Sequence, residues 1–202
     1  MKKIKFLLFL GFFAIPGSLL WAQNAGLDLA NFNQKRLQIS KAGMITLGSW
    51  ALGNMLLGGI MRTRTEGVTQ RFHEMNIYWN AVNLGLAGFG LYAALRGQSD
   101  LGVLATWQEQ AATEKILLFN AGLDVGYILG GLYLTERSRR PEVRQATLKG
   151  FGRSLMLQGA FLLVFDVSLY LAHHQHLKNS RPLFENLQLG MMEGGLGMRY
   201  QF

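Results

Sequence analysis

Residues 116–134, ILLFNAGLDVGYILGGLYL, decide how the rest of the chain is read. Wound as an α-helix, this stretch is about 28 Å long, close to the thickness of a bilayer's hydrocarbon core. Gly122, Gly126 and Gly130 recur at every fourth position and leave a small-residue stripe on which another helix backbone can approach closely. Asn120, Asp124 and Tyr127 fall on the roughly opposite face. A carboxylate in mid-span is costly unless it is neutral, paired or beside water, so Asp124 points to a buried helix of a membrane bundle.

Outward from that stretch lie three more apolar segments of similar length, residues 44–61, 77–95 and 155–172. The fold class expected is an all-α membrane protein, a four-transmembrane-helix bundle over residues 44–172. Ahead of it, Lys2, Lys3 and Lys5 precede an apolar run from Phe6 to Leu20, interrupted at Pro16-Gly17 and followed by Trp21-Ala22-Gln23. That is the layout of a secretory signal peptide over residues 1–22, cut after Ala22. Residues 23–43 read as an amphipathic lead-in helix lying at the outer interface. Residues 173–202 form an outer-side tail.

The loops set the orientation. Arg62, Arg64 and Arg71 lie between the first and second segments; Arg137, Arg139, Arg140, Arg144, Lys149 and Arg153 lie between the third and fourth. Basic loops stay in the cytoplasm, and a signal peptide demands the same arrangement. The expectation is a multi-pass protein of the inner (cytoplasmic) membrane with both mature termini on the periplasmic side. The net charge of +8 is accounted for by these flanks, so nucleic acid is not the expected partner. Half of the 202 residues are hydrophobic and 16% are charged, a balance that points away from a soluble enzyme. With no Cys, thiol catalysis and Cys-based metal sites are excluded.

An internal repeat is suggested by Leu56-Leu57-Gly58-Gly59-Ile60-Met61 against Ile128-Leu129-Gly130-Gly131-Leu132-Tyr133. Leu91-Tyr92-Ala93-Ala94 matches Leu169-Tyr170-Leu171-Ala172 in the same way, consistent with two duplicated helical hairpins. At the C-terminus, Leu196, Met198, Tyr200 and Phe202 alternate with Gly197, Arg199 and Gln201, the period of a β-strand. An alternating strand ending in Phe resembles the C-terminal signal of outer-membrane β-barrels of Gram-negative bacteria, although no further barrel strands are legible.

Two polar constellations are candidate sites. Asp124 and Asp166 each lie thirteen residues from a basic boundary, Arg137 and Arg153, which would set them at one depth on antiparallel helices. Two carboxyl groups in hydrocarbon hold a proton or a cation between them, or else act as a hydrogen-bonded contact that fixes helix register. Asn120, Tyr127 and Gln158 are placed to assist that site. The second constellation is a polar interior of Asn76, Asn80 and Asn83 with Asn54. Interhelical amide bonding and a substrate vestibule are both open for it. Gly53, Gly58, Gly122, Gly126 and Gly130 are expected at helix contacts. His173, His174 and His176 read as solvated interfacial residues, and His73 lies at the opposite end. No Ser-His-Asp, H-E-x-x-H or phosphate-loop pattern occurs, so no catalytic residue, metal or cofactor is assigned.

The layout of signal peptide, four glycine-rich spans and short tail resembles that of uncharacterised small four-helix membrane proteins of Gram-negative bacteria. The expected role is non-enzymatic: a structural or accessory subunit in the lipid bilayer, associating with a second copy or an envelope protein through its glycine face and tail. The alternative is a small proton- or cation-coupled transporter or channel using Asp124 and Asp166.

Overall fold

Among the described residues, the largest fully buried side chains are polar, and many large apolar side chains face outward. Gln110, Gln158, Asn33, Asn80, Thr106, Ser154 and Asp124 are fully buried, whereas Phe89 is 74% exposed, Leu56 69% and Phe119 66%. In water that inversion would leave a large apolar surface unburied; in lipid it is the favourable arrangement, because the polar groups find one another inside. A computed structural model describes residues 17–141, 143–184, 187–192 and 195–200. Four long helices account for most of them: α1 (Gly17–Arg62), α2 (Gly67–Arg96), α3 (Val103–Arg137) and α4 (Gln145–Asn179). Helices α1, α3 and α4 are each long and apolar enough to cross a bilayer, which marks a membrane protein. The inward-facing asparagines of α2 lower its mean hydropathy, and α2 does not reach that standard.

The helices run unbroken because the chain keeps proline out of them. Pro141 sits in the α3–α4 connection and Pro182 in a 3-10 turn after α4 (Arg181–Leu183), where a missing N–H costs no helical bond. The α1–α2 connection is only residues 63–66. Gly67 closes that reversal with φ +61°, a backbone conformation that side chains disfavour. Short connections make α1–α2 and α3–α4 antiparallel hairpins, and the two hairpins join chiefly through α2 against α4. Helices α2 and α3 share almost no backbone contact.

Three sequence expectations change here. Residues 23–43 are not a separate interfacial helix; they are the first half of α1, continuous with residues 44–61 and packed along the bundle. The terminal strand is β2 (Gly195–Tyr200), paired antiparallel with β1 (Leu187–Met192), a strand the sequence pattern did not reveal. The glycine face also differs. Gly58 does pack, its Cβ position lying 3.0 Å from Ile77, and that of Gly130 lies 3.7 Å from Leu155. Among the described residues, the Cβ positions of Gly53, Gly122 and Gly126 have no neighbour within 4 Å. At about 100° per residue, Gly122 and Gly126 sit about 160° around α3 from Asp124, so burying the carboxyl turns them outward. Most of the expected signal peptide, residues 1–16, lies outside the described residues, as do Gln201 and Phe202; residues 17–22 form the first turns of α1.

The close approach of α3 and α4 is made by other glycines. A Cβ on Gly131 would lie 2.6 Å from the Gly152 carbonyl oxygen, and one on Gly159 would lie 2.9 Å from the carbonyl oxygen of Asp124. Gly131→Val is therefore expected to destabilise the bundle by about 1–3 kcal/mol, the usual range for forced overpacking. Gly126→Val, on the open side of the same helix, should change stability far less; thermal unfolding of both variants in one detergent checks the contrast.

Candidate functional site

The interior is two joined polar layers with a cavity beside the second. The first layer is built where α2 meets α4. Asn76 Oδ1 accepts hydrogen bonds from Ser154 Oγ at 2.6 Å and Gln158 Nε2 at 3.0 Å. Trp50 Nε1 from α1 donates to Gln158 Oε1 at 3.0 Å. Asn80 donates to the Asn76 carbonyl at 2.8 Å, and Asn83 continues the ladder towards Asn80. Gln158 thus bonds within this amide ladder and not to the carboxyls; it sits one residue before Gly159, level with Asp124, and about 12 Å along α4 from Asp166. Asn54 does not join the other asparagines either, because its amide is spent on the Trp50 carbonyl of its own helix at 2.9 Å.

The second layer is the carboxyl pair. Gly159 packs level with Asp124 and Ile128, so Asp166, seven residues further along α4, lies level with Asn120 and about one turn beyond Asp124. Equal depth, expected from the two basic boundaries, is not what the register gives. The pair still meets, because Cα–Cβ bonds lean towards a helix's N-terminus and the two helices run oppositely. The Asp124 and Asp166 carboxyls are close neighbours on one cavity wall, with Asn120 lining it beside them. Asp124 is 2% exposed, and its Oδ2 meets no donor among the described residues. Tyr127 packs edge-on against Trp79 of α2, ring centroids 4.7 Å apart.

Both carboxyls open into a cavity of about 660 Å³ lying in the α2–α3 gap, with α1 and α4 as its back wall. The Trp79–Tyr127 contact marks one end. Leu47, Leu162 and Phe165 form the apolar back, and Asn83 and Asn120 border the acids. At the far end Arg36 of α1 pairs with Glu109 of α3 at 3.5 Å. His173 also reaches the cavity there. It is fully buried with Nε2 3.3 Å from Ser40 Oγ, and Gln110 donates to its carbonyl at 3.0 Å. His173 is therefore not solvated as the sequence suggested, and His176 is half-buried, stacking on Phe32 at 4.3 Å and bonding the Phe32 carbonyl. His174 is half exposed, 3.6 Å from Glu114. Sequence spacing hid this end layer because its partners come from α1, whose polar first half looked peripheral: Asn33 of α1 donates to Thr106 of α3 at 2.7 Å. Among the described residues, no three His, Cys, Asp or Glu side chains converge to hold a metal ion.

An inside-out helical bundle with a buried carboxyl pair beside a side-opening cavity defines the class: an integral membrane protein with a polar interior. Residues 46–167 match a family of unknown function (DUF6992), and the chain belongs to that family. The matched residues include the amide ladder and both carboxyls, and leave out Arg36, His173 and the β-hairpin. No curated protein and no solved structure matches the chain.

At the end of the bundle that carries Arg62 and Arg137, buried Glu74 accepts from Arg71 at 2.6 Å, Arg62 at 3.4 Å and Tyr78 Oη at 3.3 Å. The Arg71 hydrogen bond, with the charges of Arg71 and Arg62, holds its carboxyl below the usual carboxylate range despite burial. Glu74→Gln should cost about 1–3 kcal/mol at neutral pH, the worth of a hydrogen bond to a charged group. A lowered carboxylate contributes stability above its unfolded pKa and loses it as pH falls through the folded one. The gap between wild type and variant, followed by thermal unfolding, should accordingly close in acid and persist at neutral and higher pH.

Proposed function

We propose that the protein is a four-span carrier that exchanges a cation for a proton at the Asp124–Asp166 pair. The observation that supports this is the meeting of two carboxyls, one with an oxygen lacking any donor, on the wall of an open cavity. Two carboxyls so placed carry one uncompensated charge most readily when a proton or a cation lies between them, so arrival of one expels the other. Besides the carboxyl pair, the charged groups facing the cavity among the described residues are Arg36 from α1 and Glu109 from α3, with the titratable His173 from α4; α2 contributes Trp79 and Asn83 there as polar neighbours. Arg36 and Glu109 neutralise one another, leaving the pair to set the charge of the site.

Four spans are favoured by the outer face of α2, where Tyr78, Val82, Leu86, Phe89, Tyr92 and Leu95 are all exposed, as the lipid side of a spanning helix requires. The basic residues gathered where α1 meets α2 and α3 meets α4 support placing that end in the cytoplasm of a Gram-negative cell, with the signal peptide and inner-membrane location read from the sequence. In proteoliposomes, a proton gradient should drive cation uptake by the wild type. Asp124→Asn and Asp166→Asn should each reduce uptake to the level of empty liposomes while the protein still folds. Wild-type vesicles that move neither inorganic nor organic cations would defeat the proposal.

A second reading, an accessory subunit, is favoured by Gly122 and Gly126, which leave an open strip on the outside of α3 where a second helix can lie closely. Replacing both by Leu should then lower the assembled mass measured in native detergent; an unchanged mass rules this reading out.

A further inference from the structure

We propose that the cavity takes a protonated amine carried on an apolar body, the ammonium on the Asp124–Asp166 carboxyls and the body in the α2–α3 cleft. This rests on the carboxyl pair being a cation site and names the class of cation. Charge comes first. With Arg36 bound to Glu109, the uncompensated group on the wall is the carboxyl pair, and among the described residues Oδ2 of Asp124 is a buried acceptor without a donor. An ammonium supplies positive charge and several N–H donors together, which satisfies both. An anion would meet the acids directly. Among the described residues, a metal ion would find two carboxyls and amides but no third acidic or imidazole ligand converging on them, with the remaining wall largely apolar.

Size and chemistry agree. A volume of about 660 Å³ is in the range of sites for drug-sized molecules and far exceeds what a bare ion needs. Tyr127 and Phe165 line the cavity within three residues of the acids, and Trp79 lines it against Tyr127; aromatic rings near a carboxylate favour an organic cation. The route of entry follows from the helix arrangement. Val82 and Leu86 on α2 and Leu123 on α3 line the cavity and are also exposed on the outer surface. Because α2 and α3 hardly touch between them, the cleft opens sideways. A side opening between apolar lips admits a molecule already dissolved in the hydrocarbon, which an amphiphilic amine is and an inorganic ion is not.

The test uses the full chain in phosphatidylcholine nanodiscs with 4-phenylbutylamine as probe, beside the matching alcohol and carboxylic acid, with protein-free discs as blank. The amine is expected to bind saturably, one per chain, and at least about tenfold more tightly than the alcohol, the acid not at all. Asp124→Asn with Asp166→Asn should abolish the preference for amine over alcohol. Leu86→Trp, on the lip and away from the acids, should reduce binding of both probes. Discs containing phosphatidylethanolamine identify the source: competition points to an aminolipid of the bilayer, no competition to a free amine. Equal affinity for amine and alcohol, or an amine preference that survives both Asn replacements, overturns the proposal. Proton-driven flux of an inorganic cation without amine binding would overturn this inference and leave the carrier standing. Amine binding without any flux would do the reverse.

Discussion

Everything in this bundle follows from the need to give Asp124 company away from water. A carboxyl in the middle of an apolar helix is tolerable only against polar partners, and that need fixes the rotation of α3 about its own axis. With Asp124 inward, Leu117, Ala121 and Gly131 turn inward too, and they form the buried face of the helix. Helix α4 then supplies the complementary surface: Gly152 and Gly159, which let the backbones come together, followed by Asp166, which meets the acid. The glycines matter because they shorten the distance the short aspartate side chains must cover.

The two ends of the bundle are built differently as a result. Towards the Arg62 and Arg137 end, glycine contacts and the Asn76–Ser154–Gln158 amides lock α4 to α3 and α2, while Glu74 ties α2 to Arg62 at the end of α1. Towards the opposite end, α2 and α3 part and leave the cavity, bounded beyond the acids by Arg36, Glu109 and His173. A rigid half beside an open half suits a site that must hold two carboxyls at fixed separation while a ligand enters from the side. Hydrogen bonds between membrane helices are individually modest, so a ladder of several is what makes the closed half firm.

Much of the architecture is legible in the sequence because hydrophobic length and proline placement are local properties. All four apolar segments lie within helices. Where the reading failed, it depended on a register or a partner. The stripe of Gly122 and Gly126 is as regular as any contact motif, yet it cannot face inward on the same helix as Asp124. Gln158 shares a face with Asp166 but sits two turns away, where Asn76 and Trp50 claim it. His173 looked like one of three solvated histidines, and Ser40 together with the Gln110 side chain encloses it only because α1 continues past its apolar half.

By itself the sequence determined that this is a helical membrane protein with acids and amides on inward faces, since span length, charge exclusion and 3.6-residue periodicity are fixed by composition and order. The tertiary structure alone decided which glycines bring helices together, that the two carboxyls meet one turn out of level, and that α2 and α3 stay apart. Those outcomes depend on how far each helix slides and rotates against its neighbours, and that balance is struck among side chains distant in sequence.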